Sequence, residues 1–166
     1  SSDVCSSDLK KIMGNGIKPS VYSHFTLGDM AAYYMLEKED NQIELLLIPT
    51  QKEKELNEKF DALFDSKRLH GDSLIQVKLL DDIYPGAYGP GTSMRNSGTV
   101  DECRFEKQVH KTEGTKEIIE TWLEDGRGHH FVHILTWTKG EYALGSTTTI
   151  INRSEERRVG KECRSR

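Results

Sequence analysis

The sequence predicts an all-β protein, an antiparallel β-sandwich of about seven or eight strands with one short helix. Short apolar or alternating runs recur along the chain at the two-residue period of a half-buried strand, and turn residues bound nearly every run. The longest aliphatic run, 45–48, is far shorter than the ~20 residues that cross a bilayer. A soluble, β-rich protein is therefore expected.

Both ends of the chain resemble translated sequencing adapter, so 1–9 and 153–166 are predicted to be artefacts outside the fold. A DNA stretch that encodes 6–9 has a reverse complement that encodes the beginning of RSEE at 153–156. The other interpretation of 153–166 is a genuine basic tail that contacts nucleic acid through phosphates.

Without these ends, 10–152 is predicted to be one partial β-sandwich domain of 143 residues, incomplete at its C-terminal edge, where a strand pattern continues. The tail carries +3 and the head −2 of the net charge of −4, which leaves −5 on 10–152. That mildly acidic balance excludes a basic footprint for nucleic acid. Cys103 is the one cysteine in this part, which fits a reducing compartment. No secretory signal is visible, so a cytoplasmic location is expected, although the adapter stands where a native start would be.

Eight segments are predicted as strands: 20–27, 30–37, 42–49, 74–83, 99–110, 116–123, 130–138 and 141–151. One amphipathic helix, or an ordered excursion over the sheet, is predicted over 51–67, where apolar residues recur at three- and four-residue spacings. The strand at 130–138 is apolar on both faces, so we expect it to be central in a sheet and covered on each side.

The segment after the fourth predicted strand is the candidate binding loop. Residues 84–91 combine Tyr84 and Tyr88 with three glycines and two prolines, which set backbone angles that other residues avoid. Arg95 and Asn96 add hydrogen-bond donors beside the tyrosine rings. This mixture is typical of a carbohydrate-facing surface, so these four are the candidate substrate-binding residues. Packing of the loop against the sheet or an adjoining domain is the other interpretation.

Two groups of residues on predicted strands invite a functional reading. A rise of ~3.3 Å per residue separates His129 from His133 by ~13 Å and turns His130 to the opposite face, so these histidines predict no metal site by themselves. Trp122 and Trp137 are expected to pack between the sheets, with a sugar-stacking platform as the alternative.

No catalytic residue is predicted in the chain. Asp81 and Asp82 are neighbours on a predicted strand and point to opposite faces, whereas a glycosidase needs two carboxyl groups across one sugar. Glu124 and Asp125 stand at a predicted hairpin turn, where solvated acidic residues are ordinary. Cys103 has no recognisable general base to activate its thiol.

The run 72–100, preceded by FTLGDMAAYYML and IELLLIPT and followed by EIIETWLEDGRGHHFVHILTWTKGEYAL, resembles the N-terminal part of bacterial α-galactosidases of glycoside hydrolase family 36. The resemblance covers most of 10–152 and is one of pattern rather than of a catalytic signature. It implies an N-terminal β-sandwich of the supersandwich kind, followed in the parent by a (β/α)₈ barrel with two catalytic aspartates. Such enzymes are retaining hydrolases of terminal α-galactosides, often raffinose-type sugars, and use no organic cofactor.

The same resemblance implies that the catalytic barrel lies outside this chain. A barrel takes ~250 residues and has no counterpart here, so this chain alone is expected to be inactive on an aryl α-galactoside. The implied partners are the barrel domain of the same parent chain and its α-galactoside substrate, with neither nucleic acid nor membrane. In a homo-oligomer, Tyr88 and Arg95 are the candidates to reach a neighbouring subunit. A stand-alone carbohydrate-binding β module and a protein-interface domain are the alternatives.

Overall fold

The computed structural model describes residues 20–38, 40–53, 55, 73–80, 82 and 97–152. Over these residues the expected antiparallel all-β class is confirmed, because their seven strands form one three-stranded and one four-stranded antiparallel sheet beside one short α-helix. The chain divides into two compact units, Ser1–Asp72 and Ser73–Arg166, and each unit contains one of the sheets. Within the described ranges, no helix has the length and apolar character that crossing a membrane requires.

The first unit contains an antiparallel meander whose three strands have the predicted bounds. β1 (Ser20–Leu27), β2 (Met30–Glu37) and β3 (Gln42–Pro49) lie side by side in chain order. The turns between them contain Gly28 with φ of 63° and Asn41 with φ of 51°. Glycine and asparagine adopt this left-handed conformation at lower cost than other residues, which explains why the chain reverses at these two points.

The middle of β2, the central strand of its sheet, is buried on both faces. On one face lies an apolar cluster formed by Ala31, Tyr33 and Met35 of β2 with Val21, Leu46 and Ile48 of its neighbours. On the other face Tyr34 is fully buried. A strand covered on both faces reads as a continuous apolar run, which is the pattern of MAAYYML.

The chain after β3 returns to the face of β2 that carries the apolar cluster. A 3₁₀ turn at Thr50–Lys52 brings Glu53 to the hydroxyl of Tyr33, which donates to Glu53 Oε1 at 2.7 Å. The same oxygen lies 3.1 Å from His24 Nε2. Burial and the carboxylate together raise the pKa of Tyr33, so this hydroxyl stays protonated and serves as a donor. Most of the helix predicted over 51–67 lies outside the described residues.

The second unit contains a short helix followed by a four-stranded antiparallel meander. The elements are α1 (Gly98–Glu102), β4 (Arg104–Glu113), β5 (Lys116–Glu124), β6 (His129–Thr138) and β7 (Leu144–Asn152). The strands lie in chain order, as the sequence predicts. Consecutive antiparallel neighbours joined by tight turns need little chain to reverse, which suits the Gly-containing connections.

The expected central position of β6 is confirmed, since β6 pairs with β5 on one side and with β7 on the other. On one face of β6, Phe131, His133 and Leu135 are buried. Their partners on β5 are also buried; they are Leu123, Thr121 and Ile119. This face therefore forms the core of the four-stranded sheet.

The strand predicted over 74–83 is wrong, because its described part forms no strand. The backbone groups that a strand would use are bonded elsewhere. The carbonyl of Val77 accepts from Ser97 Oγ at 2.5 Å, and the amide of Leu79 donates to Asp82 Oδ2 at 2.9 Å. A backbone whose polar groups bond to side chains in this way has none left at those positions for a ladder.

The strand predicted over 99–110 starts too early, because Gly98–Glu102 form α1. Ser97 is the N-cap of this helix, and its Oγ accepts from the amide of Val100 at 3.2 Å. The chain becomes extended at Cys103, so β4 begins one residue later. A serine followed by an acidic residue in the first turn, here Ser97 and Asp101, is the sequence signal for this helix start.

The last strand also begins later than the predicted 141–151. Glu141 donates its amide to the carbonyl of Thr138 at 2.9 Å and so belongs to the turn between β6 and β7. Trp137 strengthens that turn, because its Nε1 donates to the carbonyl of Glu141 at 2.9 Å. The side chain of Trp137 is therefore bonded to the turn after its own strand.

Candidate functional site

Six buried or half-buried polar side chains of the second unit form a network at the two flanks of 83–96, the segment that carries the predicted binding residues, and Ser97 belongs to it through backbone groups. We call this network the polar clamp. It consists of Asp82, Ser97, Thr99, Asp125, Arg127 and His129. Asp82 directly precedes 83–96 and Ser97 directly follows it, so the clamp joins the two ends of that segment.

Asp82 is the centre of the clamp, with a side chain that is 1% exposed. Its Oδ1 accepts from the amide of Thr99 at 3.0 Å and lies 2.7 Å from the Thr99 hydroxyl. Its Oδ2 accepts from the amide of Leu79 at 2.9 Å. These contacts bind the chain before 83–96 to the chain after it, because Asp82 and Thr99 stand on opposite sides of that segment.

Ser97 makes the second connection across the ends of 83–96. Its hydroxyl donates to the carbonyl of Val77 and accepts from the amide of Val100, so one side chain both caps α1 and holds the chain before the segment. Because Ser97 is 1% exposed, water does not compete for these bonds. The two flanks of 83–96 are therefore fixed against each other at two points.

Asp125 belongs to the clamp through the turn between β5 and β6. Its Oδ1 accepts from the amides of Arg127 at 2.9 Å and His129 at 3.1 Å, and its Oδ2 lies 2.7 Å from His129 Nδ1. Gly126 and Gly128 have φ of 71° and 102°, a conformation that favours glycine. The expected solvation of Asp125 is wrong, because its side chain has no exposed area and its acceptors are filled by this turn.

Arg127 links the two buried carboxylates. Its Nη2 lies 3.2 Å from Asp82 Oδ1, and its Nε lies 3.2 Å from Asp125 Oδ2 and 3.0 Å from Glu102 Oε2. The same Nη2 donates to the hydroxyl of Thr99 at 2.5 Å. Buried carboxylates need a positive partner, and a planar guanidinium is suited to serve two at once.

The clamp keeps both aspartates ionised. Burial alone would raise the pKa of Asp82, but hydrogen bonds from Thr99, from the amide of Leu79 and from Arg127 outweigh burial, so the pKa is lowered. For Asp125, burial is outweighed by hydrogen bonds from His129 and from two backbone amides, and the pKa is again lowered. Because a general acid must hold its proton near neutral pH, neither carboxyl group is suited to donate one. The clamp is suited to anchoring.

The four predicted binding residues, Tyr84, Tyr88, Arg95 and Asn96, lie outside the described residues, as does Asp81. The structure describes the residues that flank their segment, Asp82 before it and Ser97 after it. Loops that bind ligands are commonly held by a rigid scaffold at their ends.

The two tryptophans have different surroundings. Lys107 places its Nζ 4.5 Å from the ring centroid of Trp122, so the ammonium group covers part of one ring face in a cation–π contact. A sugar would have to displace that ammonium to stack on the same side. Trp137 uses its ring nitrogen to bond the turn before β7.

The histidines of β6 have separate partners, as the strand geometry predicts. His129 belongs to the clamp, His130 Nδ1 lies 3.2 Å from Glu106 Oε2, and His133 Nε2 lies 2.9 Å from Ser146 Oγ. Across the part of the chain that the structure describes, no three His, Cys, Asp or Glu side chains are grouped to hold a metal ion.

Cys103 is buried beside the clamp, and burial together with the charge of Asp125 raises the pKa of its thiol to about 12. The thiolate is the nucleophilic form of cysteine, and it is strongly disfavoured here. The geometry therefore supports a packing role for Cys103.

Thr99 and Arg127 are not among the site residues that the sequence predicts, and Asp125 is predicted to be solvated, whereas all three belong to the clamp. One local signal was present, because an aspartate before glycine commonly bonds the backbone amide two residues on, and Asp125 does so with Arg127. The contacts of Thr99 and Arg127 with Asp82 have no local signal, since these partners are 17 and 45 residues away from it.

Comparison of the chain with protein-family models, with curated proteins and with solved structures finds no match.

Proposed function

We propose that this chain is a non-catalytic β-sheet part of an α-galactosidase of glycoside hydrolase family 36. In this proposal a barrel domain elsewhere in the parent chain hydrolyses terminal α-galactosides with retention, and the chain described here presents the segment 83–96 to the sugar. Tyr84 and Tyr88 supply aromatic surfaces, while Arg95 and Asn96 supply hydrogen-bond donors.

The family in this proposal rests on the sequence resemblance of 72–100, and the single structural observation that supports a positioned binding segment is the polar clamp. A binding loop must hold its side chains in place before the ligand arrives, since ordering them afterwards lowers affinity. The buried contacts of Asp82 with Thr99, and of Ser97 with Val77, fasten both ends of 83–96 within the same unit. Burying two aspartates and an arginine costs desolvation free energy, and a connection without a function would not need that arrangement. The arrangement therefore supports a segment whose position matters for binding.

The charge state of the clamp supports a non-catalytic role for the described part of the chain. Retaining glycosidases use one carboxyl group as a general acid, and its pKa is raised. Asp82 and Asp125 have lowered pKa values, and their side chains are 1% and 0% exposed, out of reach of a sugar. Proton donation to the glycosidic oxygen is therefore assigned to the barrel.

The second candidate is a stand-alone carbohydrate-binding β module, in which the same clamped segment binds sugar with no barrel attached. Trp122 is a weaker platform than its sequence position suggests, because Lys107 occupies part of one face. Raffinose titrated into the chain, with tryptophan fluorescence as readout, separates the module from a protein-interface domain. Saturable change supports sugar binding, and its absence supports an interface.

The proposal is tested in the full-length parent enzyme by replacing Tyr88 and Arg95 together with alanine. We expect kcat/KM for raffinose to fall about thirtyfold, because each of the two side chains contributes a contact of about 1 kcal/mol to the bound sugar. The matched control replaces Tyr142 and Lys139, an exposed tyrosine and cation in the turn between β6 and β7, with alanine. That variant should keep the parent's kinetics.

If the variant with Tyr88 and Arg95 replaced has unchanged kcat and KM, the proposal that 83–96 binds the substrate is wrong. Turnover of an aryl α-galactoside by the purified chain alone would contradict the non-catalytic assignment. The two outcomes are independent, since one concerns substrate contact and the other concerns the bond-breaking step.

A further inference from the structure

The two edges of the four-stranded sheet are protected very differently. β4, the strand at one edge, carries charged side chains along its length and a register shift between Phe105 and Lys107. Charges and bulges of this kind are how edge strands avoid pairing with another chain. β7, at the other edge, has neither: its sequence LGSTTTIIN contains no charged residue and no proline.

The geometry of β7 is also that of an open pairing edge. Its register with β6 runs without a shift from Leu144 to Asn152. The six consecutive residues 145–150 are all exposed, including Ile150 at 51%. Among the described residues, no strand pairs with the outer edge of β7. A straight, uncharged strand rich in threonine and isoleucine is strongly disposed to accept a further strand.

We propose that β7 pairs antiparallel with β7 of a second copy of this chain, about a two-fold axis at Thr148. In this register Thr148 faces its own counterpart, Thr147 faces Thr149, and Ser146 faces Ile150. The two sheets of four strands become one continuous sheet. Residues that face each other across the two copies of β7 point to the same side of the sheet, so the core face of one sheet continues into the core face of the other.

The charge pattern selects a second copy as the occupant. Identical strands repel when like charges face each other across a two-fold axis, and β7 has no charge to cause repulsion. Threonine pairs across antiparallel strands are favourable, and they fill the centre of the proposed register. Ile150, exposed in a single copy, becomes a diagonal neighbour of the partner's Leu144 and loses contact with water.

The test measures the mass of the full chain by sedimentation velocity from about 1 µM to about 100 µM, a range that brackets a weak dimer. We expect a concentration-dependent dimer. Thr148→Lys places two ammonium groups against each other at the axis and should weaken the dimer by about tenfold or more. The matched control is Thr115→Lys, which adds the same charge in the exposed turn between β4 and β5 and should leave the dimer intact.

A charge-swap experiment fixes the register. Thr148→Lys and Thr148→Glu should each dimerise at least about tenfold more weakly than the parent chain, and they should form a heterodimer when mixed in equal amounts, because position 148 faces itself. A chain that stays monomeric at about 100 µM overturns the proposal. So does a dimer that tolerates Thr148→Lys, or a mixture of the two variants that fails to associate.

Discussion

Replacing Arg127 with methionine should lower the free energy of unfolding of the second unit by about 3 kcal/mol. The substitution keeps an apolar side chain of similar length but leaves Asp82 and Asp125 without the cation they share. Removing one partner from a buried ion pair is costly because the remaining charge is neither solvated nor paired. The estimate lies at the low end of the usual range, since the Arg127 side chain is 30% exposed.

Urea unfolding followed by tryptophan fluorescence measures this loss in the right part of the molecule. The chain has two tryptophans, Trp122 and Trp137, and both lie in the second unit. The control is Lys139→Met, which removes one positive charge from an exposed turn and should change the unfolding free energy by less than about 0.5 kcal/mol. Equal effects of the two substitutions would mean that Arg127 does not neutralise buried carboxylates.

A double-mutant cycle with Asp82→Asn isolates the contact itself. Asp82→Asn should be clearly destabilising when Arg127 is present and much less so in the Arg127→Met background, because there the substitution removes a buried charge that has lost its cation. The difference should be about 1 kcal/mol or more. Additive effects would show that Asp82 and Arg127 are not coupled.

Replacing Phe131 with alanine should cost about 3 to 5 kcal/mol of unfolding free energy. Phe131 has no exposed surface and stands on β6, the strand whose inner face forms the core of the four-stranded sheet. The loss combines the transfer free energy of the ring with the cavity left among its neighbours, which close packing prevents from collapsing fully.

Tyr142→Ala is the matched control for this prediction, because it removes a ring of similar size from a side chain that is 98% exposed. Its effect on urea unfolding should stay within about 0.5 kcal/mol. If the two alanine variants unfold at the same urea concentration, the assignment of the core face of β6 is wrong.

The strands whose bounds the sequence predicts well are those specified by local pattern. β1, β2 and β3 alternate or run apolar between turns that contain Gly28 and Asn41, and each has the predicted limits. β5 and β6 agree to within one residue for the same reason. Side-chain period and turn chemistry act over a few neighbouring residues, so a single sequence contains them.

The strand predicted over 74–83 is wrong because contacts between residues far apart in the chain determine the structure there. The segment around Val77 has the apolar composition of a strand, yet its carbonyl is taken by Ser97, 20 residues later. The clamp shows the same limit, because Asp82 looks like a surface acid until Thr99 and Arg127 are seen around it. Such contacts depend on how the chain folds back, which local period does not encode. The candidate site was therefore predicted as a segment, and its anchor was not.

The central claim is that the polar clamp holds two ionised aspartates as anchors, and the ionisation of Asp82 and Asp125 tests it most directly. Carbon-detected NMR titration of the Asp82 and Asp125 carboxyl groups should give midpoints below the ordinary value of 3.8, because donors and Arg127 stabilise the ionised forms. With folded pKa values below the unfolded ones, this stability is complete above about pH 5 and is lost as the pH falls through the folded-state pKa. A midpoint raised toward neutral pH for either group would contradict the clamp and indicate a proton donor in its place.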